Sequence, residues 1–267
     1  MLGRAGMSTY KEQSSRGRLR VAVAGGTGTV GRHVVEQARQ RGHEVVSLSR
    51  ADGVDLIAGS GLDGALAGVQ VVIDVASQMV QKSRQSREFF GTVTRNLLDA
   101  EAQAGVPHHV ALSVVGSDRA PTGYYAGKIL QEELLASSPV PWTLLRATQF
   151  HEFANQIYGA VTLGPFVVVP KMSSEPVAAA EVAARLLDLA AGKPAGRVKD
   201  LGGPRREVLA DMVRAYARAS GKPDKVIEIP LPGTLGRAMR NGSLTSSPDA
   251  DHGTTTFSQW LSTTYPE

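Results

Sequence analysis

The chain has 267 residues, of which 42% are hydrophobic and only 5% aromatic. That is long enough to bury a sizeable core, and its Ala, Val and Leu suit buried parallel strands better than a sandwich or barrel. Cysteine is absent, which excludes disulfides, thiol catalysis and cysteine-held metal and fits a reducing cytoplasm. The net charge of +4 arises within residues 1–20, where Arg4, Lys11, Arg16, Arg18 and Arg20 face Glu12 alone; the other 24 basic and 24 acidic residues balance, so no nucleic-acid partner is expected.

Residues 1–17, rich in Ser, Gly and Arg, are expected to be a disordered leader, and no apolar segment follows the charges as a secretory signal requires. A strand at 19–24 runs into a glycine-rich turn. Next comes a helix at 31–41, with Val30, Val34, Val35 and Ala38 at helical spacing and Gly42 as its stop. Strands follow at 44–49, 69–76, 108–114 and 142–146, with helices at 87–104 and 125–137 between them. Strand–helix–strand alternation at these lengths predicts a doubly wound parallel sheet of Rossmann type over residues 18–150. Residues 151–267 read as a small C-terminal substrate lobe interleaved with the last strands and helices of the core. Helices are expected there at 151–161, 178–191, 207–220 and 254–265, with strands at 166–169, 198–202 and 226–229. The Gly/Ser/Thr/Pro-rich stretch 230–253 reads as a mobile loop. No apolar run approaches the roughly 20 residues of a membrane helix.

The turn is Gly25-Gly26-Thr27-Gly28-Thr29-Val30-Gly31, with glycines at every third position directly after a strand and at a helix start. The first glycine meets the tight turn, the second allows close approach of a pyrophosphate, and the third lets helix and strand pack closely. The helix N-terminus offers amides to the phosphates. Gly25, Thr27, Gly28, Thr29, Val30 and Gly31 are therefore the expected dinucleotide grip. At the end of the second strand an NAD-type site carries an acid for the ribose hydroxyls, whereas this chain has Ser49-Arg50, suited to a 2′-phosphate. NADP(H) is the expected cofactor, with Asp52 close enough to keep NAD open. Asp55 and Leu56 are placed at the adenine edge, Ala76 and Ser77 near the nicotinamide half, and Asp74 near the strand exit, since an unpaired carboxylate is costly inside an apolar strand.

The segments GGTGTVG, GTVTRNLLDAEAQAGVPHHVALSVVG, YYAGKILQEELLASSPVPWTLLRATQF and PVAAAEVAARLLDLA together resemble the atypical short-chain dehydrogenase/reductases of the NmrA-like, NAD(P)H-binding group, over about residues 18–209. The resemblance implies a Rossmann fold with a small substrate lobe and NADP. It does not imply one reaction, because the group holds quinone, dye and ether reductases as well as redox-sensing regulators.

Ser113, Tyr124 and Lys128 are similar to the Ser/Tyr-x-x-x-Lys set of the reductases, with Tyr124 and Lys128 four apart on one helical face. In that arrangement Ser113 hydrogen-bonds the acceptor oxygen and Tyr124 supplies a proton. Lys128 lowers the tyrosine pKa and holds the ribose hydroxyls. Tyr125 competes for the hydroxyl role. Gln149, Phe150, His151 and Phe153 are expected to line the substrate pocket, and residues 153–177 and 230–253 to set the substrate. His108 and His109, adjacent on a strand, point to opposite faces and cannot share a metal, so no metal is expected. These residues predict an NADP(H)-dependent reductase of a carbonyl, quinone or similar small molecule, a monomer or homodimer without membrane contact. A non-catalytic NADP sensor with a protein partner, or a lyase or isomerase retaining NADP, are the alternatives.

Overall fold

The computed structural model describes residues 17–266 apart from residues 81, 161, 164 and 224. Residues 1–16, nearly all of the predicted leader, and the last residue of the helix predicted at 151–161 lie outside the described residues.

The first half alternates as its sequence predicts. The elements are β1 (Arg20–Ala24), α1 (Gly31–Gln40), β2 (Glu44–Leu48), α2 (Leu62–Leu66), β3 (Val71–Asp74), α3 (Ser83–Ala104), β4 (His109–Val114), α4 (Tyr124–Ser137) and β5 (Trp142–Ala147). The second half adds α5 (Phe153–Tyr158), β6 (Thr162–Leu163), β7 (Phe166–Pro170), β8 (Ser173–Ser174), α6 (Ala179–Ala190), β9 (Gly196–Arg197), β10 (Leu201–Gly202) and β11 (Glu207–Val208). It ends with α7 (Leu209–Ala219), β12 (Val226–Ile229), α8 (Gly233–Arg240), β13 (Asp251–His252) and α9 (Phe257–Thr264). The main sheet runs β13-β10-β5-β4-β3-β1-β2, with β9 also beside β5, and every pairing in it is parallel.

Alternation along β1 divides the core. Val21 and Val23 face α1 and α6 together with Val34, Val182 and Leu186. Ala22 and Ala24 face the opposite side, with Leu62, Val93 and Leu97 of α2 and α3. Helices thus cover both faces of a sheet whose strands are apolar throughout, the Rossmann arrangement. α3 and α4 cross closely because Gly127 meets Ser86 and Phe90, where a Cβ would overlap both. A separate apolar cluster builds the lobe, where Val167 and Val169 of β7 pack on Leu209, Met212, Val213 and Tyr216 of α7 and on Phe257 of α9.

Three expectations change. α3 begins at Ser83, a turn before 87, because its first turn faces α4 with Ser86, whose Oγ donates to the Tyr124 carbonyl at 2.8 Å. The strand predicted at 198–202 contracts to Leu201–Gly202. The stretch 230–253 is built into the fold: it carries α8 and β13 and buries Leu244 and Thr245 at 0% and 1% exposure.

Candidate functional site

From β1 the chain crosses through α1 to β2 on one side and then returns to β3 on the other. Connections that part in opposite directions leave a crevice beyond the carboxyl ends of the two strands, where open α/β sheets bind ligands. In this fold that crevice is a cavity of about 460 Å³, lined by Gly25, Gly26 and Thr27 after β1, Ser49 and Arg50 after β2, Asp55 and Leu56, and Ala76 and Ser77 after β3. Apolar residues including Leu48, Val54, Ile57, Phe89 and Val93 fill in the wall, and a neighbouring cavity of about 400 Å³ shares Ile57, Gln78 and Phe89 with it.

The glycines are there for space. Gly25 has φ +81°, and a Cβ on it would lie 2.8 Å from the Ala76 backbone, while a Cβ on Gly31 would overlap the Gly25 carbonyl. Gly28 N donates to Gly25 O at 2.9 Å and closes the turn, and Val30 packs inward. No side chain caps α1 and no acid occupies its first turn, so the positive end of its dipole is left uncompensated, although the Arg32 amide turns back to Gly28 O at 3.1 Å. A backbone cradle with no room for a side chain, open at a helix N-terminus, fits a dinucleotide diphosphate.

Beyond the end of β2, Arg50 is exposed on the cavity wall, but Ser49 is engaged: its Oγ donates to Asp52 Oδ2 at 2.5 Å. Hydrogen bonds from Ser49 and Ser47 hold the Asp52 carboxyl below its ordinary range. Asp55 Oδ1 accepts from Ile57 N and Ala58 N at 2.8 and 3.1 Å, which fixes the loop and holds that carboxyl low as well. Asn96 of α3 secures the same loop, donating to the Leu56 and Ile57 carbonyls at 2.9 Å.

The Ser/Tyr/Lys triad is distributed differently from its expectation. Tyr124 OH lies 3.0 Å from Ser77 Oγ, so this hydroxyl reaches the crevice wall. Burial pushes its pKa up, the Ser77 hydrogen bond opposes that, and Asp74 adds to the rise. Lys128 is 4% exposed; its Nζ donates to Leu112 O at 2.7 Å and to Gln131 Oε1. Ser113 Oγ donates to Glu132 Oε1 at 2.5 Å, and Arg146 holds the same carboxylate through Nε and Nη2 at 2.8 and 2.5 Å and also reaches Asp118 at 3.1 Å. No sequence motif marks Glu132, Gln131 or Arg146; the spacing of Glu132 four residues after Lys128 on a helix is the one local signal. Tyr125 packs into the lobe, and burial pushes its hydroxyl up to about 12.

The four residues expected in the substrate pocket do not line the cavity. Gln149 bonds Leu244 O and Ser174 Oγ, Phe150 pairs through its backbone with Val177, and Phe153 joins the lobe core. His151 is 0% exposed; its Nε2 is 3.0 Å from Thr255 O and its ring lies against Phe257 and Trp260. Its expected place at the pocket mouth is thereby corrected: the closing helix covers it. Over the β4 exit sits the segment 241–245. A Cβ on Gly116 would lie 2.7 Å from Leu244 Cδ2, and Arg119 Nη1 donates to Ser243 O at 3.1 Å. His108 bonds Thr143 and His109 bonds Glu101, and among the described residues no cluster of three or more ligating side chains could hold a metal. No described helix is long and apolar enough to cross a membrane.

Comparison with known proteins agrees with this geometry. The profile of the NAD(P)H-binding family matches residues 25–190, more than half of the chain. The photosystem II assembly factor Ycf39 of Synechocystis sp. is 27% identical over 236 residues, covering 80% of this chain and 71% of that protein. Quinone oxidoreductase 2 of Escherichia coli is 27% identical over 224 residues, covering 76% and 75%. The structure of the Escherichia coli NADPH-dependent quinone oxidoreductase with NADPH superposes with a TM-score of 0.64 at 20% identity over 92% of this chain and 99% of that one. MoeE5 with UDP-glucose and NAD superposes at 0.67, with 19% identity over 91% and 96%. At such identities these structures show the shared fold. The chain belongs to the NAD(P)H-binding family and has a Rossmann fold.

Proposed function

We propose that this protein binds NADP(H) in the β1/β3 crevice and reduces a small quinone in the cytoplasm, within the wider class of carbonyl acceptors. When bound there, the cofactor supplies a hydride. The α1 amides and glycine turn hold its diphosphate, Arg50 pairs with the 2′-phosphate, and Ala76 and Ser77 bear on the other half.

The observation that carries the choice of acceptor is the commitment of the polar side chains. Ser113 donates to Glu132, and Lys128 donates to Leu112 and Gln131, which leaves of the expected triad only the Tyr124 hydroxyl, paired with Ser77 at the wall. Burial keeps that hydroxyl protonated, so it donates a hydrogen bond but is a reluctant acid. A ketone becomes an alkoxide, a strong base that needs a ready proton donor. A quinone becomes a hydroquinone anion, a far weaker base that one hydrogen bond and solvent satisfy. The likeness to quinone oxidoreductase 2 supports the same class.

A screen of NADPH oxidation against quinones, aldehydes and ketones tests this. Quinones are expected to turn over and unactivated ketones to remain inert. Tight NADPH binding with no oxidation by any acceptor overturns the enzymatic reading. It favours a dinucleotide-binding protein that recruits a partner, which the withdrawn Ser113 and Lys128 and the likeness to an assembly factor also support.

A further inference from the structure

Asp74, the last residue of β3, is a carboxylate at 1% exposure, and both of its oxygens are used. Oδ1 accepts from Ala76 N at 2.9 Å, which ties down the crevice lip against which Gly25 packs. Oδ2 accepts from Gln131 Nε2 at 2.7 Å, and the other end of that amide, Oε1, accepts from Lys128 Nζ. The ammonium has three N–H groups. It meets the Gln131 oxygen and the Leu112 carbonyl, and it lies 4.5 Å from the centre of the Phe90 ring. A buried ammonium is sustained only where a counter-charge stands near it.

We propose that Asp74, acting through Gln131, is a positioning residue that holds the Lys128 ammonium beneath the dinucleotide crevice and anchors the Ala76 lip to the same point. The bridge has a direction. Only an acceptor at Oδ2 keeps the Gln131 NH2 toward β3 and its oxygen toward Lys128. Asparagine at 74, in either orientation, sets an NH2 against Ala76 N or against Gln131, and it removes the charge. The ionisable groups around Lys128 are Asp74 from β3 and Tyr124 and Glu132 from its own helix; one layer further out, Asp74 also acts on the Glu101–His109 pair that joins α3 to β4. Burial pulls Lys128 down to about 8, against the opposing pull of Asp74 and then Glu132. Affinity for the anionic cofactor therefore falls as pH rises through that value, when the ammonium loses its charge.

This inference rests on dinucleotide binding at the crevice and not on quinone turnover, so NADPH titration of the full chain by nicotinamide fluorescence tests it alone. The range runs from neutral to alkaline pH, above the titration of the 2′-phosphate. With its counter-charge gone, Lys128 deprotonates earlier. The midpoint for Asp74→Asn is expected to move to lower pH by roughly one pH unit or more, the usual effect of a neighbouring charge. Gln131→Met, which removes only the bridge, moves it in the same direction by less. The double variant lies no further from wild type than Asp74→Asn, because the two act as one unit. Should Asp74→Asn fail to fold by circular dichroism, Gln131→Met carries the test. Profiles that superimpose on wild type, or a wild-type profile flat across the range, overturn the inference. Absence of NADPH binding at every pH overturns the dinucleotide reading along with it.

Discussion

Arg50 lines the crevice and Tyr124 reaches its wall through Ser77, and each has a measurable consequence. Replacing Tyr124 by Phe removes the hydroxyl on Ser77 and keeps the ring edge-on to Phe90. One hydrogen bond to a developing anion is at stake, so kcat/KM for a quinone is expected to fall by about tenfold, with NADPH affinity unchanged. Steady-state kinetics with a fluorescence titration separates the two effects. Arg50 is solvent-facing and its pairing with a 2′-phosphate is correspondingly modest. Arg50→Ala is expected to weaken NADPH by about tenfold at low salt and NADH hardly at all. Equal losses for both cofactors, read by the same titration, would remove the NADP preference and give weight to Asp52, which already holds the Ser49 hydroxyl.

At the scale of elements, the β1–α1 turn is intolerant because its glycines are packed backbone against backbone. A methyl group on Gly31 has nowhere to go but into the Gly25 carbonyl, so Gly31→Ala is expected to abolish NADPH binding and to cost about 1–3 kcal/mol of stability by urea unfolding. That turn is legible in the sequence for the same reason: its demands are local, and only glycine meets them at that spacing. Other elements hide themselves. α8 turns Leu235, Ala238 and Met239 onto the lobe core, a stripe of three within eight residues that is too short to stand out from its Gly/Ser/Thr/Pro-rich neighbourhood, and a Cβ on Gly236 would overlap Leu231. α3 conceals its first turn behind serines that bond α4 and the residue before it. The engagement of Ser113 with Glu132, nineteen positions on, depends on how α4 crosses β4, and no periodicity reports a crossing.

For the molecule as a whole, the buried histidines shape how stability responds to acid. Burial and the neighbouring His109 bring His108 down from 6.5 to about 4, so the folded state binds fewer protons there than the unfolded chain. Its contribution is complete above pH 6.5 and is lost progressively as pH falls toward about 4. His109, paired with Glu101, is raised instead, and what it contributes is present below 6.5 and fades as pH climbs through its folded value. Substituting His108 by Gln is expected to flatten the acid limb of a urea-midpoint profile while leaving the neutral region in place, and an unaltered acid limb would contradict it. Architecture adds a second whole-chain property. Cofactor-gripping surfaces come from the first hundred residues, whereas the strap over the β4 exit arrives from 241–245, its Ser243 bonded to Arg119 across 124 positions. The cavity wall and the cover of the β4 exit are therefore written in separate stretches of the chain, so substitutions can accumulate in one without altering the residues of the other.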